Sequence, residues 1–394
     1  MLRILCIDIE GGYGGSSRSL YYSVKYICEN NKYIYIEVWS KKNGPIQDLY
    51  QSIGVVNKVF NDIPKVTSVS LFSRNIILYA VFIVDWIKSY RFRNKTVKEL
   101  NSRFDLLHCN HESLFLFAKW IKNRVNLPIT AHIRTIRPIN IFSNWQKKTI
   151  VKTMKDIVFI TENEMHSYNG FLDESKGRVI YNIAETLSNN VNNHPDIPND
   201  SRLKIACISN YSWNRGTDRL IEIAQELKSR NNTSILFVIA GSMELTKSMP
   251  GELGKLASEG KNLCDYAIEN DVSEYFVFLG FDPTPERVIH SCDALIKLTR
   301  WDATWGRDII ESLINGVPVY TIGQYNKFVI NNYTGVLCEK YDPILLTDII
   351  ERHEAYRDLL RDMGLNAKKH ATSLCSGSDN ASKLLSVWVG ATLQ

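Results

Sequence analysis

Four short segments place polar residues where they could do chemistry. The longest is Arg300-Trp-Asp-Ala-Thr-Trp-Gly306-Arg-Asp-Ile-Ile-Glu311. Gly306 permits a sharp turn. Ile309, Ile310, Leu313 and Ile314 then recur at helical spacing. Glu311 falls about one and a half turns into that helix. A carboxylate there either meets solvent or accepts hydrogen bonds from ligand hydroxyls. The second segment is Asn210-Tyr-Ser-Trp-Asn-Arg215-Gly216. Arg215 suits a diphosphate through charge-assisted bonds, or is a surface arginine on a loop.

The third segment holds Gly11, Gly12, Gly14 and Gly15. Glycine lets backbone N–H groups approach a ligand, and a following helix offers its positive end. The spacing is not the dinucleotide fingerprint, so a plain strand–helix turn is the alternative. The fourth is His132, in Thr130-Ala-His-Ile-Arg134, with His108 and His111 after the preceding strand. A lone strand-end histidine is commonly structural. Three of the chain's eight histidines at neighbouring strand ends point instead to a polar cleft.

The elements that would carry these residues alternate along the chain. Apolar runs at 2–8, 33–39, 106–108, 129–132 and 157–160 read as strands, as does a shorter run at 178–181. Amphipathic stretches at 17–28 and 114–124 read as helices. Residues 185–202 are rich in Asn, Pro, Asp and Ser and read as a linker. The alternation then restarts, with strands expected at 203–208, 235–240, 276–279, 294–298 and 317–320. Helices are expected at 218–227, 251–269 and 309–315, with long ones at 343–370 and 381–393. Such alternation predicts doubly wound α/β domains, whose ligands sit beyond the carboxyl ends of the strands. The expected domains are 1–184 and 203–375, followed by a final helix within 376–394.

Bulk properties agree with two domains. The chain has 394 residues, 44% apolar and 23% charged, with a net charge of +5. That charge is too weak to argue for nucleic acid and suits a diphosphate or anionic lipid. Eight scattered cysteines show neither zinc spacing nor a disulfide framework, so a reducing compartment is expected. The opening MLRILCID reads as a strand rather than a signal peptide. The most apolar run, Ile76 to Val84, is too short to span a membrane and is followed by Lys88, Arg91, Arg93 and Lys95. It is either a buried helix with a basic end or a helix lying on an anionic membrane.

Together the four segments resemble the GT-B glycosyltransferases, specifically the retaining enzymes of glycosyltransferase family 4 (glycosyl transferases group 1). The likeness is densest from Lys204 to Asp342. It implies two facing Rossmann-like domains with the site in the cleft between them. It implies a nucleoside diphosphate sugar as donor, no bound metal, and retention at the anomeric carbon. No Asp-x-Asp motif is present, which agrees with the metal-free expectation.

On this likeness Glu311 holds the ribose, Arg215 neutralises the diphosphate, and Arg300 supplies a further cation. Asp302 and the backbone of Thr304, Trp305, Gly306 and Arg307 face the sugar. His132, with Gly14 and Gly15, faces sugar and acceptor. Asn182 matches the polar turn entering the linker, Gly335 with Val336 a later turn, and the final helix near Trp388, within 376–394, is expected to cross back to the first domain. Two positions depart from the pattern: Ala303 stands where a first Glu is usual, and Asn210 where a cation is usual. The implied acceptor is a glycan or a lipid-linked glycan of a surface polysaccharide or lipopolysaccharide, met in the cytoplasm or at the inner face of the plasma membrane. A nucleotide-sugar 2-epimerase and an inactive nucleotide-sugar-binding subunit are the competing readings.

Overall fold

A computed structural model describes residues 1–12, 14–66, 76–136, 139–187, 191–302 and 304–393. Met1–Ile183 with Ser376–Gln394 form one compact unit, and Ala184–Cys375 form another.

The first unit is built on a seven-stranded sheet: β1 (Leu2–Asp8), β2 (Ile34–Ser40), β3 (Val56–Val59), β4 (Leu106–Cys109), β5 (Ile129–Ile133), β6 (Asp156–Phe159) and β7 (Gly177–Val179). The order is β3-β2-β1-β4-β5-β6-β7, every pair parallel. The second unit carries β8 (Leu203–Ile208), β9 (Ile235–Ala240), β10 (Phe276–Gly280), β11 (Ala294–Lys297), β12 (Val319–Ile322) and β13 (Gly335–Cys338). Their order is β10-β9-β8-β11-β12-β13, again all parallel. Strands buried on both faces must be apolar throughout, and LRILCID, ITAHI and ILFVIA are nearly so. Both sheets have the doubly wound order, and it reverses at β1/β4 and at β8/β11. Loops leaving such strands diverge and open a crevice. The four polar segments all leave strands at these reversals or, for His132, one strand further on.

The final helix, Gly377–Leu393, packs in the first unit. Its Leu384 and Trp388 are buried in one core with Ile4, Leu20 and Val158. All eight cysteines are free thiols.

Five expectations change. The stretch 251–269 is two helices, Gly251–Ser258 and Leu263–Glu269, because Asn262 and Asp265 form a capping box that starts a new helix. The stretch 343–370 likewise divides into Pro343–Ala355 and Arg357–Leu374 at Tyr356, which leaves helical geometry. Gly335 and Val336, expected in a turn, begin the edge strand β13. The strand expected at 178–181 is β7, shifted to Gly177–Val179. The segment read as a linker begins inside the second unit. There the His194 amide donates to the Ser291 hydroxyl, its ring pairs with Asp282, and Arg287 donates to the Asn193 carbonyl.

Candidate functional site

In the second unit the site is a set of loops tied together at the carboxyl ends of β8, β9, β11 and β12. The β8 loop turns at Gly216, in the left-handed region at φ +70°. A Cβ there would strike the Leu298 carbonyl at the end of β11, so only glycine lets the two loops touch. Asn210 accepts the Ser242 amide at 2.9 Å, joining this loop to the one after β9. Its own carbonyl accepts Nη1 of Arg215 at 2.8 Å. Arg215 is exposed and makes no ion pair among the described residues, so its charge is available.

Arg300 is placed differently. Its guanidinium spans both oxygens of Asp218 at 2.9 and 2.5 Å and stacks 3.4 Å over Trp213. Burial opposes that charge, but the Asp218 pair outweighs it and raises the arginine's pKa. The cation expected of Arg300 is therefore neutralised by Asp218. Beside it, Arg219 gives Nη1 to the carbonyls of Leu298 and Thr299, both at 3.1 Å. A pocket of about 280 Å³ opens here, lined in part by Arg219, Arg300, Trp301, Asp302 and Lys340.

The β11 loop ends at Gly306, φ +152°, where the helix Arg307–Ile314 begins. A Cβ on Gly306 would meet Nζ of Lys297 at 2.6 Å and Oδ1 of Asp308 at 2.5 Å. Lys297, at the end of β11, donates to the Trp305 carbonyl at 3.1 Å and to Asp308 at 2.9 Å. It therefore braces the turn from beneath. Asp302 accepts the amides of Gln324 at 2.9 Å and Tyr325 at 3.4 Å, and Thr304 donates to the Tyr325 carbonyl. Trp305 meets Tyr325 edge-on at 5.4 Å. The expected sugar-facing stretch is thus stapled to the β12 loop, and one oxygen of Asp302 is already taken. Glu311 accepts Nε and Nη2 of Arg307 on one oxygen, at 2.9 and 2.6 Å. Ala303 lies outside the described residues.

In the first unit, the strand ends hold a buried polar network. Arg134 gives Nε to the Asn110 carbonyl at 2.8 Å, Nη2 to its side-chain oxygen at 2.5 Å, and Nη1 to Asn182 at 3.3 Å. Buried Glu112 accepts the Arg134 amide at 3.1 Å and the Thr135 hydroxyl. Asn110 donates to Asp8 at 3.2 Å. Burial raises the Asp8 pKa, with the Asn110 bond and the Arg134 charge opposing it. Gly14 caps and Gly15 opens the helix Gly15–Asn30, so the capping residue itself has no side chain to offer the first N–H groups.

His132 is 5% exposed and 2.8 Å, Nδ1 to Nε2, from fully buried His108. Nδ1 of His108 meets the Trp388 indole N–H at 3.2 Å and the Thr130 hydroxyl at 2.8 Å. Indole can only donate, so Nδ1 of His108 accepts and Nε2 carries its proton. That proton goes to Nδ1 of His132, which leaves Nε2–H of His132 as a donor. Burial pushes the His108 pKa down to about 3 and takes His132 well below its usual value, with Arg134 adding to both. His132 is therefore a neutral hydrogen-bond donor rather than a base.

Lys297, Arg134, Asn110, Glu112 and Trp388 are the contributors that sequence reasoning passed over. Asn110 and Arg134 could have been found, since each follows a strand directly. Lys297 lies inside an apolar strand and gave no signal, and for Trp388 only the return of its helix was expected, not the partner of its indole. Among the described residues, no cluster of three or more His, Cys, Asp or Glu could hold a metal ion.

Residues 192–370 match the family described as glycosyl transferases group 1. No curated protein sequence matches the chain. Among solved structures, HepE of Anabaena in complex with UDP-glucose is similar at 15% identity and a TM-score of 0.74, covering 99% of this chain and 100% of that one. Sucrose-phosphate synthase of Thermosynechococcus elongatus is similar at 13% identity and a TM-score of 0.72, covering 99% of each. TarM of S. aureus, in complex with fondaparinux, α-GlcNAc-glycerol and UDP, is similar at 12% identity and a TM-score of 0.69, covering 100% of each. The two parallel-sheet units thus have the GT-B fold, and residues 192–370 match the glycosyl transferases group 1 family.

Proposed function

We propose that the chain is a retaining glycosyltransferase of the family 4 kind, moving a hexose from a nucleoside diphosphate donor to a glycan or lipid-linked acceptor. A UDP-sugar is the first donor to test, because the similar HepE and TarM are complexed with UDP or UDP-glucose. The observation that carries the reading is the Gly306 turn, which brings a helix N-terminus and Glu311 to the strand ends that also present Arg215. Helix N-terminal N–H groups and the exposed Arg215 guanidinium suit a leaving diphosphate. The Glu311 carboxylate, oriented by Arg307, suits ribose hydroxyls. His132, as a neutral donor, suits a sugar or acceptor hydroxyl. With no base or nucleophile provided by His132, the leaving phosphate itself takes the acceptor proton on the face it departs from, which retains configuration. Surface polysaccharide or lipopolysaccharide synthesis is the setting this acceptor class implies, in the cytoplasm or peripherally at the plasma membrane.

The test is calorimetry against UDP-, GDP- and ADP-sugars, followed by NMR of the product's anomeric configuration. One donor should bind at micromolar to millimolar Kd, with Glu311→Ala weakening it at least tenfold. An inverted product would overturn retention. Epimerisation of donor without acceptor would favour the 2-epimerase. Donor binding with no transfer to any acceptor would favour an inactive subunit.

A further inference from the structure

The helix Ile76–Lys88 is apolar nearly all round, with Asp85 and Lys88 its two charges. Phe82 and Trp86, four residues apart, pack toward the first unit's core. The opposite side stays open: Val81 is 47% exposed, Ile83 57%, Val84 47% and Ile87 66%. Water-facing helices are amphipathic, so an apolar outer face needs a non-aqueous neighbour. Between this helix and the helix Phe115–Lys122 lies a pocket of about 310 Å³, walled by Phe82, Ile83, Trp86, Ile87, Leu116 and Trp120. That volume is at the small end of the range for ligand sites, roughly 300–1,000 Å³.

The pocket is held open. Arg93 stacks 4.1 Å from the Trp86 ring and 4.9 Å from Trp120, and Arg124 stacks 4.1 Å from Trp120 on its own account. Arg93 also donates to the Trp86 carbonyl at 2.9 Å. Two indoles fixed in this way give rigid carbon walls. Besides those walls the lining has only Lys119 and Asn123. A peptide seated there would leave its amides unbonded at a cost of several kcal/mol, whereas a hydrocarbon chain has none to satisfy. Lys119 in the lining, Arg124 on the Trp120 wall, Lys122 at the end of the helix Phe115–Lys122, Lys88 at the end of the apolar helix and Arg91 just beyond it are all exposed, against Asp85 as the acid on the apolar helix. Basic residues framing an apolar face match anionic headgroups above acyl chains.

We propose that this face docks on an anionic lipid bilayer and that the pocket takes one hydrocarbon chain of a bilayer lipid. The proposal rests on the lipid-linked acceptor reading above and adds where the transferase meets the lipid. Among the described residues no helix is long and apolar enough to cross a membrane, so the contact is peripheral.

The full chain should sediment with equimolar phosphatidylglycerol–phosphatidylcholine vesicles at least tenfold more tightly than with phosphatidylcholine alone. Lipids brominated along their chains should quench tryptophan fluorescence, and Trp86→Phe with Trp120→Phe should remove most of that quenching. Ile83→Asp with Ile87→Asp changes only exposed positions and should weaken binding at least tenfold with circular dichroism unchanged. No vesicle binding, equal binding to both vesicles, or binding without chain quenching would each overturn the proposal. UDP-glucose titration of the same preparation reports separately on the donor reading, so the two can fail independently.

Discussion

Nδ1 of His132 lies 2.8 Å from Nε2 of His108, and the far side of His108 accepts the indole N–H of Trp388 at 3.2 Å. Three donors and acceptors in series leave one consistent arrangement of protons. A tryptophan from the last helix thereby fixes which nitrogen His132 presents. Replacing Trp388 with Phe keeps an aromatic ring and removes the donor. Nitrogen-15 shifts should then show a mixture of tautomers at His108 and His132. Stability should fall by about 1 kcal/mol, the usual net worth of one hydrogen bond. If the shifts stayed those of a single tautomer, Trp388 would not be setting it.

The same pair predicts a pH dependence. Burial keeps both rings neutral in the folded chain, His108 down to about pH 3. The unfolded chain takes up protons below the ordinary histidine value, near 6.5. Their contribution is complete above that value and is lost progressively as pH falls from there toward the folded value, about 3 for His108. The slope is about 1.4 kcal/mol per pH unit for each histidine. Urea unfolding between pH 7.5 and 5.5 should show it, and His108→Gln should reduce it.

Arg307 and Glu311 form an i, i+4 pair on the helix after Gly306, with side chains 9% and 13% exposed. If Arg307 acts by orienting Glu311, the effects of Arg307→Met and Glu311→Ala on nucleotide affinity should not add. The double variant should bind like Glu311→Ala alone, within about 0.5 kcal/mol. Additive losses would mean that Arg307 touches the nucleotide itself.

Lys297→Met leaves Asp308 and the Trp305 carbonyl without this partner. Loss of one partner from a largely buried pair costs roughly 1–3 kcal/mol. The melting temperature should drop, and donor KM should rise as the Gly306 turn loosens. A fall in kcat alone, with KM and stability unchanged, would contradict a bracing role.

Gly216→Ala should destabilise the second unit by more than about 1 kcal/mol. The new Cβ meets the Leu298 carbonyl at a backbone angle that alanine tolerates poorly. Gly12→Ala, whose added methyl would meet no atom within 4 Å, is the matched control. Equal melting temperatures for the two variants would show that the close approach at Gly216 is not required.

Much of the fold was legible because parallel strands buried on both faces must be apolar. LRILCID and ILFVIA announce themselves in that way. The short edge strands β3 and β13 did not, because VNKV is half polar and GVLC begins with glycine. The donor-side segments were legible through their position after strands and through Gly306 and Gly216. Their charges were not. Arg300 and Arg215 look alike in sequence, yet one is spent on Asp218 and the other is exposed.

The sequence by itself therefore determined the layered α/β class, the strand ends that carry the site, and the apolar helix with its basic end. Tertiary structure alone decided which cation stays available, that Lys297 sits beneath Gly306, and that Trp388 sets the protons on His108 and His132. Periodicity records which face of an element is buried. Hydrogen-bond pairing between residues as far apart as His108 and Trp388 depends on where the chain returns, and no local pattern encodes that.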